Sequence, residues 1–402
     1  MREKSNAVYF FYPLLYREVM RFPFKRRKEI EKFKNEKLHW LVLHAFKNVP
    51  FYRRYWNKNK VNIDEIKTVE DLEKMPIVKR EDLMKNPKDF IAQNYSPFLT
   101  TLTTSGTSRR PLTLFYNPLA VAYNDLVFYR TLKFLGYNNN YPLVYYWYEK
   151  YKTLFEKLGP LKRTIIDSNS SEEEQLKILQ LLNPKFLLYF PISLFLISKL
   201  AIENNISFEA ERIFTQAEIL TNTMRRKIRK AFNCELFDLY GSFEAGFIAF
   251  ECLKHKHYHV NEDLVVLEDA IDENGFKTAI VTNLHNKIMP IIRYAQDDII
   301  KLSRNSCNIF SLSTLKSIEG RRKEIIKHKS RYFTLKEIAE KINKINSVYN
   351  FQIIKDKTYK IKIQGKRPIN AKSFPSIFQK VNYIKSIKKN RYGKYSIFQV
   401  VQ

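Results

Sequence analysis

The sequence predicts an α/β fold, and three observations carry that reading. Between about residues 142 and 241, short strand-like runs alternate with runs of helical period, the pattern of βαβ units and a mostly parallel sheet. Residues 1–95 read mainly as helix, and beyond residue 251 short strand-like runs follow one another closely. At 402 residues the chain exceeds what one small core organises, so two or three domains are the default. The expected architecture is a large N-terminal domain over 1–320, with mostly parallel sheets flanked by helices plus a small β-rich part. A small α+β C-terminal domain follows over 321–402.

Each element has a local reason. Residues 29–49 space Phe33, Leu38, Leu41, Leu43 and Phe46 roughly on one helical face, and Pro50 closes the run. A second helical stretch lies near 69–74, before Pro76. A strand leads into a helix over about 118–135, which Gly136 stops. Strands are expected at 142–148, 163–167, 186–190, 211–216 and 234–241, with helices between them from 170 onward. Ser170 and Ser171 ahead of Glu172, Glu173 and Glu174 supply N-cap chemistry. Antiparallel hairpins or a small barrel fit the runs after Glu251. In the last 80 or so residues we expect a helix in FTLKEIAEKINKI, strands in NFQIIKDK and TYKIKIQG, and a helix over about 373–381.

Composition excludes several classes. With 45% hydrophobic and 14% aromatic residues the chain buries substantial cores. Cys234, Cys252 and Cys307 make no disulfide framework and fit a reducing compartment, so a cytoplasmic location is expected. No apolar run approaches the roughly 18 residues of a membrane-spanning helix, and the N-terminal run lacks a signal-peptide cleavage pattern. Of the net charge of +29, +20 falls between Lys301 and the C-terminus, with 25 Lys/Arg against 5 Asp/Glu. That end attracts a polyanion: a phosphorylated cofactor, nucleic acid, or an anionic membrane as a peripheral contact. Part of the charge is a solvated face, Lys, Asn and Ile being frequent throughout.

The stretch that invites chemistry is TLTTSGTSRRPLTLFYN, Thr101 to Asn117. Thr104, Ser105, Thr107 and Ser108 surround Gly106, and Arg109 and Arg110 follow. Hydroxyls and backbone N–H groups around a glycine form a concavity for phosphate oxygens, and adjacent guanidiniums hold the anion by charge-assisted bonds. Composition alone is equally that of a polar surface turn, and the spacing of the Walker phosphate loop is absent.

Four further segments decide the reading. TTSGTSRRPL at 103–112 resembles the T-S-G-T-T-G-x-P-L phosphate loop of adenylate-forming (AMP-binding) enzymes. YGSFEAG at 240–246 resembles their Y-G-S-T-E segment, IMPIIRYAQDD at 288–298 their P-x-I-R-Y-x-T-G-D, and IEGRRKEII at 318–326 their I-x-G-R-x-D-D-x-I. NRYGKYSIFQ resembles the terminal G-K. In order and spacing the chain resembles the phenylacetate–CoA ligase group, in its capsular polysaccharide biosynthesis branch. HAFKNVPFYRRYW, Glu218 in TQAEIL and AFECLKHKHYHVNEDLVVLE agree with it.

The resemblance implies ATP-dependent adenylation of a small carboxylic acid, then acyl transfer to CoA, a carrier, or a sugar amine or hydroxyl of a surface polysaccharide. It implies that Thr104, Ser105, Gly106, Thr107, Ser108 and Arg110 bind the nucleotide phosphates. Tyr240 would stack on or flank the adenine, Gly241 and Ser242 would also contact the cofactor, Asp298 would bind the ribose hydroxyls and Arg321 the nucleotide oxygens. Glu244 would hold Mg2+, and Lys394 would be the catalytic cation of adenylation, carried by a mobile small domain that hinges at Lys323. The motifs depart from the family at Arg109 for the second glycine, Phe243 for a hydroxyl residue, and Gln296–Asp297 for Thr-Gly. A nucleotide-binding homologue without ligase activity, and a basic nucleic-acid or anionic-surface binding protein, therefore stand as alternatives; only the charge speaks for the second.

Cys252 opens C-x-x-H-x-H-x-H, and some relatives carry a structural Zn2+ in this region. Here such a site would use Cys252, His257, His259 and Cys307, with His255 nearby; otherwise these histidines are surface residues.

Overall fold

The computed structural model describes residues 8–93, 99–103, 112–148, 160–303, 307–366 and 374–401. The chain divides into two compact units, each made of two stretches: Met1–Phe134 with Tyr240–Ile318, and Leu135–Leu239 with Glu319–Gln402.

The first unit opens with helices α1 (Val8–Arg21), α2 (Arg27–Asn48), α3 (Pro50–Lys58) and α4 (Arg80–Lys85). Helix α2 buries Ile30, Leu38, Leu41, Val42 and Ala45, while Leu43 is 40% exposed. Leu38, Leu41, Val42 and Ala45 follow the i, i+3, i+4, i+7 stripe, and Leu43 lies off it. Strands β1 (Thr100–Thr103) and β2 (Thr113–Tyr116) pair antiparallel, and α5 (Pro118–Phe134) follows.

The second unit begins with β3 (Leu143–Trp147), β4 (Arg163–Asp167), α6 (Glu172–Leu182), β5 (Phe186–Tyr189), α7 (Pro191–Glu203), β6 (Arg212–Gln216), α8 (Asn222–Phe232) and β7 (Glu235–Ser242). The expected capping box forms at α6: Ser171 Oγ accepts from the Glu174 amide at 3.2 Å, and the Ser171 amide donates to Glu174 at 2.9 Å. The strands run parallel in the order β7-β6-β5-β3-β4. Because β4 lies on one side of β3 and β5 on the other, the topology switches direction at β3 and β5. Ligands of open parallel sheets sit beyond the C-terminal ends of strands at such a point.

The chain then supplies the first unit with β8 (Gly246–Glu251), β9 (Tyr258–Val260), β10 (Val265–Ile271), β11 (Lys277–Asn283), β12 (Tyr294–Ser303) and β13 (Thr314–Arg321). They follow the order β10-β11-β12-β13-β9-β8, an antiparallel sheet rather than a small barrel. Arg130 of α5 anchors this unit. Its guanidinium donates to both Asp263 oxygens at 2.6 and 2.9 Å, to Asn261 at 2.9 Å and to the Val19 carbonyl at 2.7 Å, in full burial.

The second unit closes with β14 (Ile326–His328), β15 (Arg331–Phe333), α9 (Leu335–Asn343), β16 (Val348–Lys355), β17 (Tyr359–Gly365), β18 (Lys380–Tyr383) and β19 (Phe398–Val400). A four-stranded sheet has the order β18-β17-β16-β19. The helix expected over 373–381 is not formed among the described residues there. Lys380–Tyr383 instead pairs parallel with β17, from Lys360↔Lys380 to Ile363↔Tyr383. The free edge of β17 satisfies the backbone of this segment, and Pro375 disfavours a helix through it.

Candidate functional site

The hydroxyl-rich loop, with Thr104, Ser105, Gly106, Thr107, Ser108, Arg109 and Arg110, lies outside the described residues. Its flanks are described. Strands β1 and β2 are in register from Thr100↔Tyr116 to Thr103↔Thr113, so the loop joins the two arms of a hairpin.

The same unit carries the YGSFEAG turn between β7 and β8. Gly241 packs so closely on this turn that a Cβ there would fall 2.6 Å from the Gly246 carbonyl oxygen. Tyr116 holds the turn from below, its hydroxyl donating to the Glu244 carbonyl at 3.2 Å. Ser242 Oγ accepts from the Ala245 amide at 3.1 Å. Glu244 is buried, and its Oε1 accepts from Arg80 at 3.2 Å and from the Tyr294 hydroxyl at 3.4 Å. Arg80 and Tyr294 were not among the residues the sequence offered for this site. Arg80 lies in α4, outside every motif, and Tyr294 is the tyrosine of the IIRYAQDD segment, whose aspartate drew the attention instead. Burial, with Glu244 next, raises the Tyr294 phenol well above its ordinary range, so it stays a donor.

Asp298 meets Tyr240 directly: the Tyr240 hydroxyl donates to Asp298 Oδ2 at 2.8 Å. The two departures beside it have a structural account. Pairing of β11 with β12 slips between Ile280↔Ala295 and Thr278↔Ile299, leaving a bulge at 296–298. Asp297 takes φ 63° there, the left-handed region that glycine favours and aspartate tolerates better than most residues. Gln296 uses its amide to donate to Ser242 Oγ at 2.9 Å. In the first unit Tyr240 thus pairs with Asp298, Ser242 with Gln296, and Glu244 with Arg80 and Tyr294.

The second unit holds Lys394 and Arg321. Lys394 sits in a tight turn, its amide donating to Asn390 Oδ1 at 3.2 Å and its carbonyl accepting from the Asn390 amide at 2.9 Å. Gly393 has φ 72°, and a Cβ there would lie 2.1 Å from Ser168 Oγ, so only glycine brings the turn this close. Lys394 Nζ lies 5.0 Å from the Phe190 ring, which follows β5 at the topological switch. Burial lowers the Lys394 ammonium to about 8, partly opposed by Glu218, while Arg321 lowers it further. Glu218 follows β6 and is itself raised to about 7 by burial, against the pull of Lys394. Arg321 is exposed, its backbone amide donating to Glu324 at 3.3 Å.

In the first unit, the ligand atoms of Cys252, His255, His257 and Cys307 all lie within 4.8 Å of one another. Cys252 Sγ is 3.5 Å from His255 Nδ1 and 3.9 Å from Cys307 Sγ, and Cys307 Sγ is 3.5 Å from His255 Nδ1. A tetrahedral zinc with ordinary Zn–S and Zn–N bonds has ligand–ligand edges of about 3.5–3.8 Å. The residues therefore fit that ion. His255 belongs to the cluster, whereas His259 is wholly buried between Phe250 and Phe310, at ring distances of 5.5 and 5.0 Å. His259 lies within β9, whereas His257 and the exposed His255 belong to the segment before it.

No protein-family model matches the chain. It is 26% identical over 305 residues to Protein CapK of Staphylococcus aureus, covering 71% of this chain and 66% of that protein. It is 26% identical over 301 residues to the phenylacetate-coenzyme A ligase of Escherichia coli (strain K12), covering 68% and 67%. The alignments thus span about two thirds of the length of these relatives. Among solved structures, 2-hydroxyisobutyryl-CoA ligase in the postadenylation state aligns with a TM-score of 0.78 at 16% identity, over 95% of this chain and 92% of that one. The chain is thus similar in sequence to the phenylacetate–CoA ligase group and in fold to adenylate-forming CoA ligases. An anthranilate CoA ligase shares the fold more distantly, at a TM-score of 0.54 and 11% identity over 76% of this chain and 67% of that one. The YGSFEAG turn and the IIRYAQDD strand are where the polar contacts of the first unit described above converge. Among the described residues, no helix is long and apolar enough to cross a membrane.

Proposed function

We propose that this chain is an acid–thiol ligase that adenylates a carboxylic acid and then passes the acyl group to CoA. The observation that carries this is the Tyr240–Asp298 bond beside buried Glu244, two motifs far apart in sequence meeting through side chains. In the first half-reaction a carboxylate oxygen attacks the α-phosphorus of ATP, a P–O bond forms, and pyrophosphate leaves. In the second, a thiolate attacks the acyl carbonyl and AMP leaves.

Each residue has a role matched to its chemistry. Asp298, oriented by Tyr240, accepts hydrogen bonds from the ribose hydroxyls. Thr104, Ser105, Gly106, Thr107, Ser108 and Arg110 cradle the phosphates, and Gly241 and Ser242 border the base with Tyr240. Glu244, a hard oxygen donor, would hold Mg2+, whose chemistry is to neutralise phosphate oxygens. Arg80 and Tyr294 keep that carboxylate in place. Lys394 supplies the positive charge that adenylation requires, and Arg321 binds nucleotide oxygens. We assign residues 321–402 to a small mobile domain hinging at Lys323. The basic C-terminal quarter suits the phosphates of CoA, and the likeness to Protein CapK favours a role in surface polysaccharide synthesis, with a carrier or sugar as final acceptor. The free cysteines support a location in the reducing cytoplasm. Zn2+ at Cys252, His255, His257 and Cys307 would be structural, since all four positions of a tetrahedron are filled.

The test is ATP–pyrophosphate exchange over a panel of carboxylic acids. Acid-dependent exchange, followed by thioester formation when CoA is added, is the expected result. ATP binding with no exchange for any acid would replace this reading by a nucleotide-binding homologue without ligase activity.

A further inference from the structure

The turn that bears Lys394 is held to the rest of the second unit by its neighbours in the chain. Lys389 and Tyr395 face each other across an antiparallel bridge, so their side chains leave the backbone on one side. Both end on a single atom. Lys389 Nζ lies 2.8 Å from Glu172 Oε1, and the Tyr395 hydroxyl donates to the same oxygen at 2.8 Å. The ion pair is shielded, with 11% of the Lys389 side chain and 18% of the Glu172 side chain exposed. Lys389 Nζ also donates to the Ser170 carbonyl at 2.7 Å and lies 5.6 Å from the centre of the Tyr395 ring. Burial, with Glu172 next, raises the Tyr395 phenol far above its ordinary range, so it stays a donor. Glu172 suits the anchoring role because it opens α6 behind the Ser171 cap, where the helix dipole favours a carboxylate. The tip of the turn is fixed as well. Ser168 Oγ donates to the Tyr392 carbonyl at 3.2 Å, and the Tyr146 hydroxyl reaches the Gly393 carbonyl at 3.2 Å. Lys394, between these two sets of contacts, turns instead to the Phe190 ring, 5.0 Å from its Nζ.

We propose that Glu172 is a positioning residue for Lys394: through Lys389 and Tyr395 it clasps the C-terminal turn to the start of α6, and so fixes where the Lys394 ammonium stands. This rests on the reading of Lys394 as the cation of adenylation and names the residue on which its placement depends. The role is geometric. A catalytic cation works by standing in advance where charge develops, and a misplacement of about 1 Å costs on the order of 100-fold. The lysine side chain is a flexible stem, so its placement depends on the backbone beneath it. Here that backbone runs from Lys389 to Tyr395, and the side chains at its two ends converge on one carboxylate oxygen. Removing the charge of Glu172 leaves the shielded Lys389 ammonium without its counter-charge and weakens the Tyr395 bond. The turn then loosens while the parallel strands beneath it keep their pairing.

The experiment compares wild type, Glu172→Gln, Tyr395→Phe and Lys394→Ala, and each of the first two substitutions combined with Lys394→Ala. Pyrophosphate exchange is measured against ATP concentration, and thioester formation is started from a preformed acyl-adenylate. Glu172→Gln should lower kcat for exchange by about 10- to 150-fold, the range for losing a charge-assisted hydrogen bond, with KM for ATP and the thioester rate each within about twofold. Tyr395→Phe should act in the same way but less, because Lys389 still holds the carboxylate. In the Lys394→Ala background neither substitution should cause further loss, since a residue that acts through Lys394 then has nothing left to place. A full further loss in that background, or an equal fall in thioester formation, would overturn the proposal by showing that Glu172 only stabilises the fold. So would exchange within about twofold of wild type in Glu172→Gln while Lys394→Ala is impaired. If Glu172→Gln does not fold, Tyr395→Phe, which removes a single oxygen, carries the same comparisons. Failure of the underlying reading looks different: Lys394→Ala would then exchange at the wild-type rate.

Discussion

The Cys252–His255–His257–Cys307 cluster gives the sharpest prediction, because sequence spacing and geometry select different histidines. Three edges of the cluster, 3.5, 3.5 and 3.9 Å, are close to those of a zinc tetrahedron, and each involves His255 or the two sulfurs. The protein should carry one zinc per chain, measured by inductively coupled plasma mass spectrometry after exhaustive dialysis. Metal bound only by the folded state stabilises it by about 4 kcal/mol when free zinc is a thousandfold above Kd. The unit that holds the cluster has about 210 residues. At roughly 2–4 °C per kcal/mol for domains of that size, chelation should lower its melting temperature by about 8–16 °C. Cys307→Ala and His255→Ala should each abolish stoichiometric zinc and the chelator effect together. His259→Ala should keep the metal while losing stability, because its ring only fills space between Phe250 and Phe310. The reasoning is refuted if the dialysed protein holds no zinc, or if His259→Ala loses the metal while His255→Ala retains it.

Three further outcomes follow from single contacts. Asp298→Asn weakens charge-assisted bonds to the ribose, worth about 1.5–3 kcal/mol, so KM for ATP in the exchange assay should rise by about 10- to 150-fold; an unchanged KM would remove Asp298 from the nucleotide site. Asp263→Asn leaves the fully buried Arg130 guanidinium without its counter-charge. It should cost about 3–5 kcal/mol in denaturant unfolding, while Arg130→Met with Asp263→Leu should cost far less; equal losses in both would show that packing, not charge, is at stake. Glu262 is held at about 2: burial opposes its ionisation, but Arg27 and Lys34 overcome that with contacts at 2.5 Å. Its folded value lies below its unfolded one, so the stabilisation is complete above about pH 4.5 and is lost as pH falls through about 2. At roughly 1.4 kcal/mol per unit, Glu262→Gln should be about 3 kcal/mol less stable at pH 7, a gap that closes in acid.

Most of the fold was legible because its signals are local. Alternation of strands and helices between residues 142 and 241 follows from hydrophobic period, and Ser171 capped α6 as its own chemistry dictates. What escaped depends on partners distant in sequence. The segment near Lys380 has helical period but becomes a strand because the edge of β17 lies open beside it. Leu43 fits a loose apolar face but misses the narrower stripe that α2 buries. In the same way Arg80 and Tyr294 carry no motif that marks them as partners of Glu244; only the folded chain puts them there.

The departures from the family motifs show where sequence comparison underestimates the chain. Asp297 replaces a glycine, which on sequence alone suggests a site that has drifted. In the structure the position needs a left-handed backbone, and aspartate is among the few residues with a Cβ that accept it at modest cost. Gln296 replaces a hydroxyl residue, yet its longer amide reaches Ser242 Oγ. That bond joins β12 to the YGSFEAG turn two residues before Glu244, so the exchange keeps the two motifs in contact. Gln296→Thr restores the family residue but removes a donor long enough to make this bond. It should therefore lower, not raise, the rate of pyrophosphate exchange, by about 5- to 10-fold for one neutral hydrogen bond of about 1 kcal/mol. A rate above wild type would mean that Gln296 is drift after all, and that the Ser242 contact does nothing for the site.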